Sequence, residues 1–313
     1  MKMRDVNVLE RVKKIYQQWK FTADEEKPIR AELFVPERLV EQARILAHAQ
    51  EIQSNKPPNP QLLRSFHKNS SFLHNEHNAI NKALNSGIPI PPAEEWFIDN
   101  FHVIAEQLEG IKEDLPKKFY LELPALATGT LKGYPRTYEM ALQLIAHTDS
   151  RLDADTLREY IRSYQSVSTL TTGELWAIAI LLRVGLIENL KRLIRVSDLE
   201  RGARTDANLF AEKLIAASSD QEISRILQER SHFPKRVGGA FAVQLILRLR
   251  DTPPAHFSAI KWLYDQLSAG GMDPDEMIRR KHGQLAAAQV SVSNLIQSLR
   301  LLATMDWSEL LKM

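Results

Sequence analysis

TTGELWAIAILLRVGLIENLKRLI, Thr171 to Ile194, decides how the rest of the chain is read. Thr171 and Glu174 have the spacing of a capping box, in which each side chain satisfies an amide left unpaired at the start of a helix. Behind them, Leu175 to Ile187 is apolar apart from Arg183. That run is shorter than the about 20 residues a membrane span requires, so it predicts a helix buried in a protein core. Glu174, Arg183 and Glu188 lie on this apolar helix, where a charge is costly unless paired, and each is expected to have a partner.

The helical period continues outward in both directions. In Glu37–Gln53, Leu39, Ala43, Leu46 and Ala47 recur at spacings of three and four and form one apolar face. Pro57-Pro58-Asn59-Pro60 ends that helix, because proline lacks a donor and restricts the residue before it. A second helix is predicted over Gln61–Asn85, closing at Ser86-Gly87, where glycine can take the left-handed C-terminal position. Its partner starts after Pro91-Pro92 and runs to Asp114, and the short proline-rich turn between them implies an antiparallel pair.

Leu115–Arg136 changes character: Pro116, Pro124, Gly129, Gly133 and Pro135 punctuate it, with Tyr120, Leu121, Leu123 and Leu126 between. Large apolar residues are rare in flexible linkers, so this stretch reads as an ordered loop packed on helices. Helices resume over Thr137–His147 and Asp153–Gln165. Beyond Val196 they are predicted at Asp206–Ala217, Gln221–Gln228, Val237–Arg250, Phe257–Leu267 and Asp273–Leu302. No alternating apolar and polar run suggests a sheet. The expected architecture is all-α, a multi-helix array of antiparallel helix pairs with one ordered Pro/Gly-rich loop. Two lobes are expected, 1–200 and 201–313, meeting near Ser197–Asp206.

Composition narrows the function classes. The 313 residues carry 41 Lys and Arg against 39 Asp and Glu, a net +2, so no bulk field draws in nucleic acid and none is expected as a partner. The absence of cysteine removes disulfides, thiolate nucleophiles and Cys-based zinc sites. The first twenty residues alternate charged and apolar positions and do not read as a signal peptide, so the segment is expected to be soluble.

The chemically richest helix runs from Glu94 to Gln107. Glu95, Asp99, His102 and Glu106 fall at i, i+4, i+7 and i+11, one face of a helix, from which carboxylates and an imidazole could converge on a metal or act as acid and base. The plainer reading is a buried or half-buried polar ladder tied to Arg and Lys on neighbouring helices. His67, His74 and His77 cluster on a surface-like helix. His147-Thr148-Asp149-Ser150-Arg151 contains a base, an acid and a hydroxyl, but adjacency in sequence is not convergence in space. A histidine near one helix end and Asp149 or Asp153 capping the next explain it well. The five tryptophans, Trp19, Trp96, Trp176, Trp262 and Trp307, suit sugar stacking or a core, and Arg279-Arg280-Lys281-His282 suits a solvated face. No phosphate-cradling glycine loop, HExxH, GxSxG or dinucleotide fingerprint is present.

Four longer stretches carry a resemblance: IRAELFVPERLVEQARILAHAQ (Ile29–Gln50), AEEWFIDNFHVIAEQLEGIKEDLP (Ala93–Pro116), LPALATGTLKGYPRTYEMALQLIAHTDSRLD (Leu123–Asp153) and LTTGELWAIAILLRVGLIENLKRL (Leu170–Leu193). A weaker echo occupies Val290–Leu311. In this order they resemble the N-terminal region of the cyclic β-1,2-glucan synthases, very large bacterial inner-membrane enzymes that use UDP-glucose. The resemblance implies a fragment, since the family continues beyond Asp306-Trp307 into glycosyltransferase, cyclising and chain-trimming parts. UDP-glucose and a divalent metal are implied for the full-length enzyme and no cofactor for this segment. The near matches to a nucleotide-sugar signature, Asp153-Ala154-Asp155 and Asp273-Pro274-Asp275, sit where aspartate caps helices. The implied role is a non-catalytic scaffold on the cytoplasmic face of the bacterial inner membrane, with the downstream domains, and linear or cyclic β-1,2-glucan, as partners. The alternatives are a stand-alone carbohydrate-active or metal-dependent enzyme using Glu95, Asp99, His102 and Glu106, and a glucan-binding module.

Overall fold

The computed structural model describes residues 27–53, 56–228, 238–250, 257–269 and 273–307. Among these the regular structure is α-helix, with only two isolated bridges, Ile52 with Leu126 and Ala125 with Pro135. The fold class is all-α. The helices are α1 (Pro36–Ala49), α2 (Gln61–Asn85), α3 (Pro92–Asp99), α4 (Phe101–Asp114), α5 (Lys117–Glu122), α6 (Arg136–His147), α7 (Ala154–Gln165), α8 (Thr172–Ala216), α9 (Asp220–Gln228), α10 (Gly239–Leu249), α11 (Phe257–Ala269) and α12 (Pro274–Thr304).

The described residues divide into two compact units, those within 1–194 together with 290–313, and those within 195–289. In the first unit α6 is buried at every position, its polar residues included, and of these Thr137 keeps a hydroxyl with no hydrogen-bond partner among the described residues. α1 lies against α6 and α7, and α2 against α3. Gly185 of α8 marks a close approach to α6: a Cβ there would come within 2.7 Å of Ile145 Cδ1 and 3.4 Å of Leu142 Cδ2. α2 ends as its glycine predicts. Gly87 has φ +71°, its amide donates to Leu84 O at 2.9 Å, and the Ile88 amide reaches Ala83 O at 3.0 Å, a Schellman closure.

Three element readings change. The helix expected from Pro92 to Asp114 is interrupted at Asn100, with φ −110° and ψ 14°. The buried Asn100 side chain donates to Trp96 O at 2.8 Å and accepts from Arg300 at 2.6 Å, so a side-chain amide competes with the helical ladder. Helix α8 continues without a break through Ser197–Asp206, where an interruption was expected. Leu115–Arg136 contains α5 at its start. The rest is irregular and bonded to the 51–59 segment: Ala127 N to Glu51 O at 2.7 Å, Gln53 N to Ala125 O at 2.8 Å, Asn59 N to Gly133 O at 2.6 Å.

The second unit has its own core, in which Phe210, Leu214, Ile223, Phe241, Leu245 and Leu263 are buried together. Phe210 meets Phe241 and Trp262 at centroid separations of 6.2 and 5.9 Å. Lys281 is buried and pairs with Glu200, whereas Arg279, Arg280 and His282 of the same run are exposed.

Candidate functional site

Polar chemistry in the first unit concentrates at the two ends of α6. At its start, Arg136 follows Pro135, whose fixed φ suits a helix entry. The Arg136 guanidinium is bidentate on the Glu174 carboxylate, with Nη2 to Oε2 at 2.8 Å, and also donates to Ser168 Oγ and Thr169 O, each at 2.8 Å. Glu174 is fully buried, and the same carboxylate closes the capping box: Thr171 N donates to Oε2 at 2.9 Å and Glu174 N to Thr171 Oγ1 at 3.2 Å. Burial, the largest effect, opposes the Arg136 charge, but the hydrogen bond to Glu174 together with the fields of Tyr164 and Glu174 outweighs it and leaves the arginine pKa raised. The Tyr164 hydroxyl, its pKa pushed up to about 12 chiefly by burial, donates to Gln50 Oε1 at 2.5 Å, and Gln50 Nε2 donates to Glu139 at 2.8 Å. These bonds tie the start of α6 to α1, α7 and the start of α8, although the buried Thr137 hydroxyl beside them has no hydrogen-bond partner among the described residues.

At the other end, His147-Thr148-Asp149-Ser150 turns the chain through two consecutive residues with positive φ, Asp149 at +48° and Ser150 at +63°. L side chains disfavour that region, serine more than aspartate, so surrounding bonds must hold it. The buried Asn189 side chain donates to Ser150 Oγ at 2.9 Å while its oxygen accepts from Ile29 N at 2.6 Å. Ser298 donates to Ser150 O at 2.6 Å and accepts from Leu152 N at 2.9 Å. The Asp149 carboxylate accepts from Arg30 Nε at 3.0 Å and from Ser291 Oγ at 2.7 and 2.8 Å. His147 donates Nδ1–H to Glu32 O at 2.6 Å and stacks on Phe34 at 3.9 Å, with Arg38 over the far ring. Burial, the largest effect, lowers the imidazole pKa below its ordinary 6.5. His147, Asp149 and Ser150 thus bond to different neighbours and do not converge as nucleophile, base and orienting acid.

The polar ladder is corrected. Glu95, Asp99, His102 and Glu106 are all exposed, and the break at Asn100 interrupts the face they were read to share. The buried polar residues are Glu94, Asn100 and Gln107, so the inward face is offset from the one chosen. Among the described residues no group of three or more His, Asp and Glu side chains could hold a metal ion. The histidine cluster engages in ring contacts and local bonds: His77 stacks on Phe101 at 3.9 Å, His74 meets the same ring edge-on at 5.4 Å, and His67 Nδ1–H donates to Leu63 O at 2.6 Å. Both near matches to a nucleotide-sugar signature are helix caps. Asp153 accepts from Thr156 N at 2.8 Å and Asp273 from Asp275 N at 3.0 Å. Neither aspartate pair belongs to a metal-holding group among the described residues.

The charges expected to be paired on α8 are paired. Besides Glu174 with Arg136, Arg183 meets Asp114 at 2.5 Å, and Glu188 meets Arg192 at 2.8 Å and also accepts from Asn69. Of the tryptophans, Trp176 is 53% exposed, Trp307 donates to Leu302 O at 3.2 Å, and Trp19 lies outside the described residues. The sequence reading missed Arg136, Asn189 and the positive-φ pair. Arg136 directly after Pro135, at the start of a helix carrying the apolar run Met140-Ala141-Leu142 and Leu144-Ile145-Ala146, was the available signal.

No helix among the described residues is long and apolar enough to cross a membrane. No family model matches the chain. Over 226 residues, 72% of its length, it is 33% identical to cyclic beta-(1,2)-glucan synthase NdvB of Rhizobium meliloti (strain 1021). The chain spans 8% of that relative's length. The four quoted stretches and this match agree, and the chain is related to the cyclic β-(1,2)-glucan synthase family.

Proposed function

We propose that this chain is a non-catalytic helical scaffold within a cyclic β-1,2-glucan synthase, an N-terminal segment that braces the parts performing glucosyl transfer. The observation that carries this reading is how the first unit uses its reactive side chains. Arg136, Glu174, His147, Asp149 and Ser150 each bond to structural partners at the ends of one buried helix. A catalytic group must reach substrate directly or through one water, whereas the bonds named here run to the backbone and side chains of neighbouring segments. In this reading UDP-glucose and its divalent metal belong to the downstream glycosyltransferase part. The segment then sits on the cytoplasmic face of the inner membrane and contacts those domains.

The test is reassembly. A synthase lacking the stretch matched here should make little or no cyclic glucan, and co-expressing this chain should restore synthesis and co-purify with the remainder. Full-rate synthesis by the shortened enzyme alone would remove the scaffold role.

A further inference from the structure

Where the first turns of α2 meet the corner between α4 and α5, the first unit has a cleft of about 670 Å³. That volume lies in the range of about 300–1,000 Å³ typical of small-molecule sites. Its floor is apolar, with Phe66, Ile111 and Leu115 buried and Leu63 half-buried. Its exposed charged residues are Arg64, Lys68, Lys112 and Lys117, and no acid lines it. Lys112 is engaged by Glu109 at 2.6 Å, while Arg64, Lys68 and Lys117 have no acidic partner among the described residues. Three cations without an acidic partner among the described residues, beside an apolar floor, stand out in a chain whose net charge is +2. They match a ligand with a negative head and an apolar body, since the cations favour phosphate or carboxylate and the floor favours hydrocarbon.

We propose that this cleft binds an anionic amphiphile, its phosphate or carboxylate head on Arg64, Lys68 and Lys117 and its apolar part against Leu63, Phe66 and Leu115. The chemistry is shared by a free organic phosphate and a lipid held in a bilayer, and it is independent of the scaffold role. Both sources are separable by probe. Calorimetric titration of the intact chain with octyl phosphate below its micelle concentration should give saturable one-to-one binding, weakened in 0.5 M salt, while octyl glucoside and inorganic phosphate bind far more weakly. Arg64→Glu and Lys117→Glu should each weaken octyl phosphate binding by about tenfold at unchanged helical circular dichroism. Lys68→Gln serves as a milder variant should either reversal fail to fold. Sedimentation with phosphatidylglycerol vesicles against phosphatidylcholine vesicles assigns the source: co-sedimentation with the anionic vesicles alone points to a bilayer lipid, and its absence beside octyl phosphate binding points to a free ligand. No saturable binding of octyl phosphate, equal binding of octyl glucoside, or unchanged affinity in the charge variants would overturn the proposal.

Discussion

Single buried polar residues with distant partners hold the first unit together. Glu174 is fully buried, and its charge is tolerable only because Arg136 meets it. Arg136→Met should destabilise the chain by about 3–5 kcal/mol in denaturant unfolding, because it leaves an uncompensated buried carboxylate. The double variant Arg136→Met/Glu174→Leu should recover most of that loss, and a strictly additive result would mean the two are not coupled. His147 gives a pH signature. Its folded-state pKa is depressed below 6.5 by burial, so the unfolded chain takes up the proton first as pH falls. Its contribution to stability is therefore present above about pH 6.5 and lost below it. His77, also depressed chiefly by burial, adds in the same direction. Chemical denaturation at pH 7.5 and at pH 6 should show lower stability at the lower pH, with a shallower drop in His147→Asn. The sequence made the pairing of Glu174 necessary without naming Arg136, because the two lie 38 residues apart and only the packed helices bring them together. The exposed set Glu95, Asp99, His102 and Glu106 shows the reverse, a spacing that is sound on paper but sits on the outer face.

At the element scale, local signals that act within a few residues were legible. Gln61–Asn85 begins and ends where proline and glycine placed its limits, and the Thr171–Glu174 box opens α8. Features set by distant contacts were not. The break at Asn100 goes with a bond from Arg300, 200 residues away, and α8 runs on past Ile194 through Gly202, a residue that locally would suggest a stop. The close approach of α8 to α6 at Gly185 gives an element-level prediction. Gly185→Leu should destabilise by about 1–3 kcal/mol, because the added side chain meets buried Ile145 and Leu142. Thermal unfolding measures it, and an unchanged midpoint would contradict the tight crossing. By contrast Gly87→Ala fills open space and strains only a positive φ, so its cost should be smaller, near 1 kcal/mol.

At the scale of the whole molecule, an all-helical chain related to the cyclic β-(1,2)-glucan synthases spans 8% of the relative it matches. Helical class was readable because the apolar period repeats locally along most of the chain. That residues 290–307 join the first unit was not, since the bonds of Ser291 and Ser298 to Asp149, Ser150 and Leu152 link positions more than 140 residues apart. The central claim is that these residues support and do not make or break glycosidic bonds. It is tested most directly by incubating the purified chain with UDP-glucose and magnesium or manganese and following UDP release and glucan formation. The account predicts neither product above background from a fully helical sample. Sustained UDP release with glucan formation, abolished by substitution of a residue in this chain, would contradict it.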